Sequence, residues 1–169
     1  SDSDPDNDDD PTNNDVGTPV NTSVTNSIGL AKRVVQTINN ADGSSDVTFE
    51  FNIENFGTTN LTEVAVFENL ALRFGACDLP TVLSLTSDDF GVNPSFDGDD
   101  ITNMLDITAS DLPVGDKGAI LLTIRIPACE TTSFTNFGFV RAQPPVGDPV
   151  TDTSQNGSDP DPDNDDDPT

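Results

Sequence analysis

Asp4, Asp6 and Asp8 stand at every second position, Asp9 and Asp10 follow at once, and Asp15 lies eleven residues after Asp4. Carboxylates this close repel one another, and a hard cation that gathers six to eight oxygens at roughly 2.3–2.6 Å turns the repulsion into coordination. Asp4, Asp6, Asp8 and Asp15 are therefore the principal candidate ligands, with Asp2, Asn7, Asp9 and Asp10 assisting. The stretch from Asp4 to Thr12 recurs letter for letter as Asp161 to Thr169, so Asp159, Asp161, Asp163, Asp165 and Asp167 form a second candidate set. Such copies predict one full unit of a tandem array and the opening of the next, cut from a longer polypeptide. A unit of this length is a whole domain, so the array would be beads on acidic connectors. The expected division is a connector at 1–15, a domain at 16–157 and the start of another connector at 158–169.

The alternating aspartates resemble calcium-binding loops. In the EF-hand loop the first, third, fifth and twelfth positions would be Asp4, Asp6, Asp8 and Asp15. Asp9 stands where that loop has glycine and no helical pattern flanks the stretch, so it is more similar to the helix-free calcium linkers of thrombospondin type 3 repeats. The resemblance implies Ca2+ as the bound ion. Calcium would convert a self-repelling tether into a short strut, and Pro5 and Pro11 would lower the entropy lost on ordering it. The alternative is a solvated acidic linker, as charge blocks often are.

The chain has 169 residues and a net charge of −25, with no His, Trp or Tyr. That balance repels nucleic acid and anionic membranes and favours cations. No stretch approaches the roughly 20 apolar residues of a membrane span, and no signal peptide begins at Ser1. Without His, and with only two cysteines, the usual nucleophilic triads are missing. Paired carboxylates of the glycosidase kind act in clefts commonly lined by Trp or Tyr, so no enzymatic activity is expected. Cys77 and Cys129 read as a disulfide, which together with the acidic connectors points to an extracellular setting; two buried thiols are the alternative. Asn21-Thr22-Ser23, Asn60-Leu61-Thr62 and Asn156-Gly157-Ser158 fit the N-glycosylation tripeptide, a pattern short enough to arise by chance.

The elements that must position these acids are strands. Val47, Phe49, Phe51 and Ile53 alternate with Thr48, Glu50, Asn52 and Glu54, a period of two that no helix could use. Strands are also expected over residues 28–38, 61–72, 82–85, 101–107, 119–126 and 134–142. In the first of these Leu30, Val34 and Ile38 share a face with the less apolar Lys32 and Gln36. Residues 13–26 form an extended lead-in or an edge strand. Turns with Gly, Asn and Pro separate these runs, and Pro144-Pro145 ends the last. The pattern predicts an all-β, antiparallel sandwich of about seven strands with extended acidic ends. The two cysteines would staple a loop to the strand end after Pro127.

Residues 28–35 (IGLAKRVV), 46–57 (DVTFEFNIENFG), 112–118 (LPVGDKG) and 154–161 (SQNGSDPD) resemble the conserved-repeat β-sandwich domains of large bacterial surface proteins, also called domain-of-unknown-function family eleven. The resemblance implies an immunoglobulin-like sandwich, tandem repetition, a cell-surface location and no catalytic residue. The expected function is structural: a repeat of an extracellular stalk, adhesin or filament, its junctions stiffened by Ca2+ and its partners the neighbouring copies. Two alternatives stand beside it. The loop at 87–100, with Asp88, Asp89, Asp97, Asp99 and Asp100, could bind host or matrix glycans or proteins, or hold a second cation. Residues 13–26 could add as a strand to a neighbouring domain and build a filament of separate subunits.

Overall fold

The alternating run becomes the central strand of the larger of two sheets. The computed structural model describes residues 17–131, 133–165 and 168. Its strands are β1 (Ile28–Asn39), β2 (Ser45–Asn55), β3 (Thr62–Phe67), β4 (Thr81–Thr86), β5 (Lys117–Ile126), β6 (Phe139–Gln143), β7 (Val150–Thr153) and β8 (Gln155–Asn156). One sheet has the order β4-β5-β2-β1-β8 and the other β3-β6-β7. The protein is an all-β sandwich. Phe49, Phe51 and Ile53 of β2 meet Ile120, Leu122 and Ile124 of β5, Leu30 of β1, Val64 and Val66 of β3 and Val140 of β6 in one core. Each such side chain contributes about 1.5–3 kcal/mol when fully buried.

Where the structure departs from the expected strands, a local competitor explains it. The run expected over 61–72 ends as a strand at Phe67, and a one-turn helix, α1 (Leu70–Phe74), follows. Asn69 caps it by accepting a 2.7 Å hydrogen bond from the Leu72 amide, and Leu70 and Phe74, four apart, bury on one side. Residues 101–107 form no strand: Asn103 and Leu105 make isolated bridges to Phe67 and Val92, and Ile107–Ala109 is a 3-10 turn. β6 begins at Phe139 rather than 134, and upstream of it the Phe134 ring packs at a tilt against Phe74 of α1, ring centres 4.9 Å apart. β7 and β8 have too little apolar patterning to be foreseen, and β8 pairs parallel with β1. On β1, Leu30 and Lys32 are buried, whereas Val34 and Ile38 are exposed on either side of a register shift between Val34 and Gln36.

The described part of the lead-in, residues 17–26, holds no strand, although Thr58 donates to the Thr25 carbonyl at 2.8 Å. The loop at 87–100 is pinned from within. Phe90 and Phe96 enter the core, and Gly98, at φ +76, leaves room for Leu70, whose Cδ1 would lie 2.4 Å from a Cβ at that position. No helix among the described residues is long and apolar enough to cross a membrane.

Cys77 and Cys129 are joined as a disulfide with their Cα atoms 5.7 Å apart. It ties the loop after α1 to the end of β5, as the cysteine positions suggested. With a sequence separation of 52 between the partners, the chain-entropy account assigns it about 4 kcal/mol. The Cys77→Ser/Cys129→Ser protein is therefore expected to unfold at lower denaturant with an unchanged β-rich circular dichroism spectrum. An unchanged midpoint would show that the bridge adds no stability.

Candidate metal centre

Of the candidate ligands, Asp2, Asp4, Asp6, Asn7, Asp8, Asp9, Asp10, Asp15 and Asp167 lie outside the described residues. Asp159, Asp161, Asp163 and Asp165 lie within them. Three of these converge: Asp161, Asp163 and Asp165 each offer a carboxylate oxygen, and the three oxygens lie within 4.8 Å of one another. This is the one convergent acidic set found among the described residues.

A turn makes the convergence. Asp159 accepts the Asp161 amide through Oδ1 at 3.1 Å, and the Asn164 amide donates back to the Asp161 carbonyl at 3.2 Å. Asn164 sits at φ 57, the left-handed region that asparagine tolerates better than most side chains. Asn164 occupies the place in the second copy that Asn7 has in the first, so its type serves backbone curvature here.

The turn is moored to the sandwich. Pro160 and Asp161 are buried, and a Cβ on Gly29 would lie 2.8 Å from the Cβ atoms of Pro160 and Pro168 and from the Phe56 ring. Asn52 of β2 donates to the Ser158 carbonyl at 2.8 Å, and Gln155 to the Asp159 carbonyl at 2.7 Å. Asn55 is buried, donating to the Thr59 and Leu112 carbonyls and accepting the Gly57 amide. The segment from Asn52 to Gly57 thus shapes both the seat of the C-terminal acidic turn and the loop beside it.

Hydrogen bonding with Asp161 and the charge of Asp165 hold the Asp163 carboxyl above its ordinary value. A proton offsets the repulsion at low pH, and a hard cation could do so when that proton is gone. An all-oxygen donor set suits Ca2+ or Mg2+ rather than a soft metal.

The other acids do different work. Asp152 accepts the Leu30 amide at 2.7 Å, and its burial raises its pKa. In the loop at 87–100, Asp97 accepts the amides of Asp99 and Ile101, both at 2.9 Å, and Asp89 accepts that of Ala119 at 2.8 Å. Asp88, Asp99 and Asp100 are exposed.

One charged cluster was not foreseen. Lys32 Nζ and Glu68 Oε2 are 2.5 Å apart inside the protein, with 4% and 0% of their side chains exposed. Burial lowers the Lys32 pKa to about 8 against the attraction of Glu68, and burial raises that of Glu68. The ammonium also lies 4.6 and 4.7 Å from the ring centres of Phe49 and Phe51. The available signal was Lys32's place on the Leu30 face of β1, which puts a cation in the core and so requires an internal partner.

The raised Asp163 pKa has a definite sign. Its penalty is absent when both states are protonated, grows as pH rises from the unfolded value near 3.9 through the folded one, and stays constant above it. Metal-free Asp165→Asn is expected to bring the Asp163 titration, followed by carboxyl NMR shifts, down toward the ordinary range. An unmoved midpoint would remove the charge of Asp165 as a cause.

No family model matches the chain, and neither does any curated protein. Among solved structures it is similar to a GH20 exo-β-N-acetylglucosaminidase from Vibrio harveyi, at 10% identity and a TM-score of 0.45 over 78% of this chain and 18% of that one. It is also similar to the archaellum periplasmic stator protein FlaG from Sulfolobus acidocaldarius, at 11% identity and a TM-score of 0.23 over 73% of this chain and 98% of that one. The chain thus spans less than a fifth of the glycosidase's length. Likeness at this level carries no argument about activity.

Proposed function

We propose that this chain is a structural tandem repeat of an extracellular bacterial surface protein, a stalk, adhesin or filament, in which Ca2+ stiffens the Asp-rich junctions between β-sandwich domains. The carrying observation is the convergence of Asp161, Asp163 and Asp165 within 4.8 Å at the head of a segment whose sequence opens the chain as well. Three carboxylates supply part of a calcium shell, and carbonyl groups and water commonly supply the rest. Mooring of Pro160 beside Gly29 gives such a strut a fixed base. Rigidity on one side of a junction becomes rigidity between domains only when the ion fixes the chain that follows. The disulfide suits an oxidising compartment, and the acidic surface keeps neighbouring copies from collapsing on one another. Resemblance to the surface-protein repeats supports the same reading.

Calcium titration followed by backbone NMR tests it. Amides from Asp161 to Asp165 are expected to shift with an apparent Kd of about 10⁻⁴ to 10⁻³ M, the range usual for extracellular modules. Asp161→Asn/Asp163→Asn should abolish those shifts while leaving the sandwich resonances in place. Wild-type amides that stay still at saturating calcium would contradict the metal site, and a variant that loses its sandwich spectrum would contradict the separation of junction from fold.

A further inference from the structure

The buried Lys32–Glu68 pair has a third neighbour. Asn136 lies in the extended approach to β6, close enough to Glu68 to help hold its carboxyl down. Yet both its side-chain amide atoms, and Glu68 Oε1, are buried without a hydrogen-bond partner among the described residues. Buried polar atoms are ordinarily paired, so a carboxamide set against an ion pair without a well-formed hydrogen bond calls for a reason. The backbone holds the group there on purpose. Gly138 and Ser154 exchange hydrogen bonds, each 2.9 Å, and a Cβ on Gly138 would lie 2.9 Å from the Phe51 ring, so only glycine lets the segment come this near. On the other side, the Glu68 amide donates to the Thr102 carbonyl at 2.9 Å. Lys32, Phe49, Phe134, Asn136 and Ser154 together line a cavity of about 260 Å³.

We infer that Lys32 and Asn136 join through their side chains as an intramolecular amide, with Glu68 as the group that moves the protons. The pair at 2.5 Å can pass its proton internally, leaving an amine on Lys32 and a carboxylic acid on Glu68. Burial favours that neutral form, since it brings the Lys32 pKa to about 8 and raises that of Glu68. The amine nitrogen attacks Cγ of Asn136 and a new N–C bond forms. Glu68 gives its proton to Nδ2 and takes one from the former amine; the Cγ–Nδ2 bond breaks and ammonia leaves through the cavity. Glu68 ends as it began, and amine plus carboxamide have become a secondary amide plus ammonia, with no oxidant, metal or cofactor. The Phe49 and Phe51 rings beside the nitrogen keep water from competing. The product ties β1 in one sheet to the chain entering β6 in the other. It does not depend on the calcium junction.

Intact mass of the reduced full chain tests this. Wild-type protein is expected to be lighter than its sequence by one ammonia, about 17 Da, and its proteolytic digest to contain a branched peptide holding both Lys32 and Asn136. Glu68→Gln, close in shape but unable to act as the acid, is expected to regain the full mass and lose the branched peptide, as is Asn136→Ala. A folded wild type of full mass would overturn the inference. So would a lost ammonia that maps to a cyclic imide at Asn156-Gly157.

Discussion

The two sheets close on the inward row of β2, and most of what is distinctive in the protein follows from that row. Phe49, Phe51 and Ile53 lie between β1 and β5 in the plane of their own sheet and face the second sheet across the core. Burial on this scale supplies the main drive for folding, because the strands pair only where their apolar faces leave water together. The same rings make a dry space around Lys32. A cation placed there must find an anion, and Glu68, at the end of β3, comes from the opposite sheet. Core packing and the buried charge pair are therefore one design, and the Asn136 amide beside Glu68 belongs to it.

Charge of the other sign is kept outside. A net charge of −25 cannot be accommodated in a core of this size, and much of it is placed in the end segments. Acids nearer the sandwich are used locally: Asp152 holds the Leu30 amide, Asp97 closes its own loop, and Asp46 pairs with Arg125 at 2.7 Å. What distinguishes Asp161, Asp163 and Asp165 is that their carboxylate oxygens lie within 4.8 Å of one another. Repulsion held in place by a turn and a mooring is the arrangement in which a divalent ion gains most.

The sandwich was legible because alternation survives in β2 and β5, where every second side chain enters the core. The disulfide was legible from two cysteines flanked by apolar residues. α1 was hidden in a short apolar run that fits a strand as well as a helix until Asn69 is recognised as a cap. β7 and β8 were hidden because edge pairing by backbone needs no apolar pattern. Alternation in the acidic run marks Asp161, Asp163 and Asp165, whose carboxylates converge on one turn, but it gives no sign that Asn164 serves that turn. Lys32, Glu68 and Asn136 were invisible as a group, since each lies on a different element and only the packing of the two sheets brings them together.

The most direct test of the calcium-stiffened array is small-angle scattering on a chain of two consecutive repeats, first with calcium and then with chelator. The account requires an extended, rigid pair with calcium and a broader, more flexible distribution of domain orientations without it, the β-rich circular dichroism spectrum being the same in both. Identical scattering profiles would contradict it and leave the acidic run as a solvated linker.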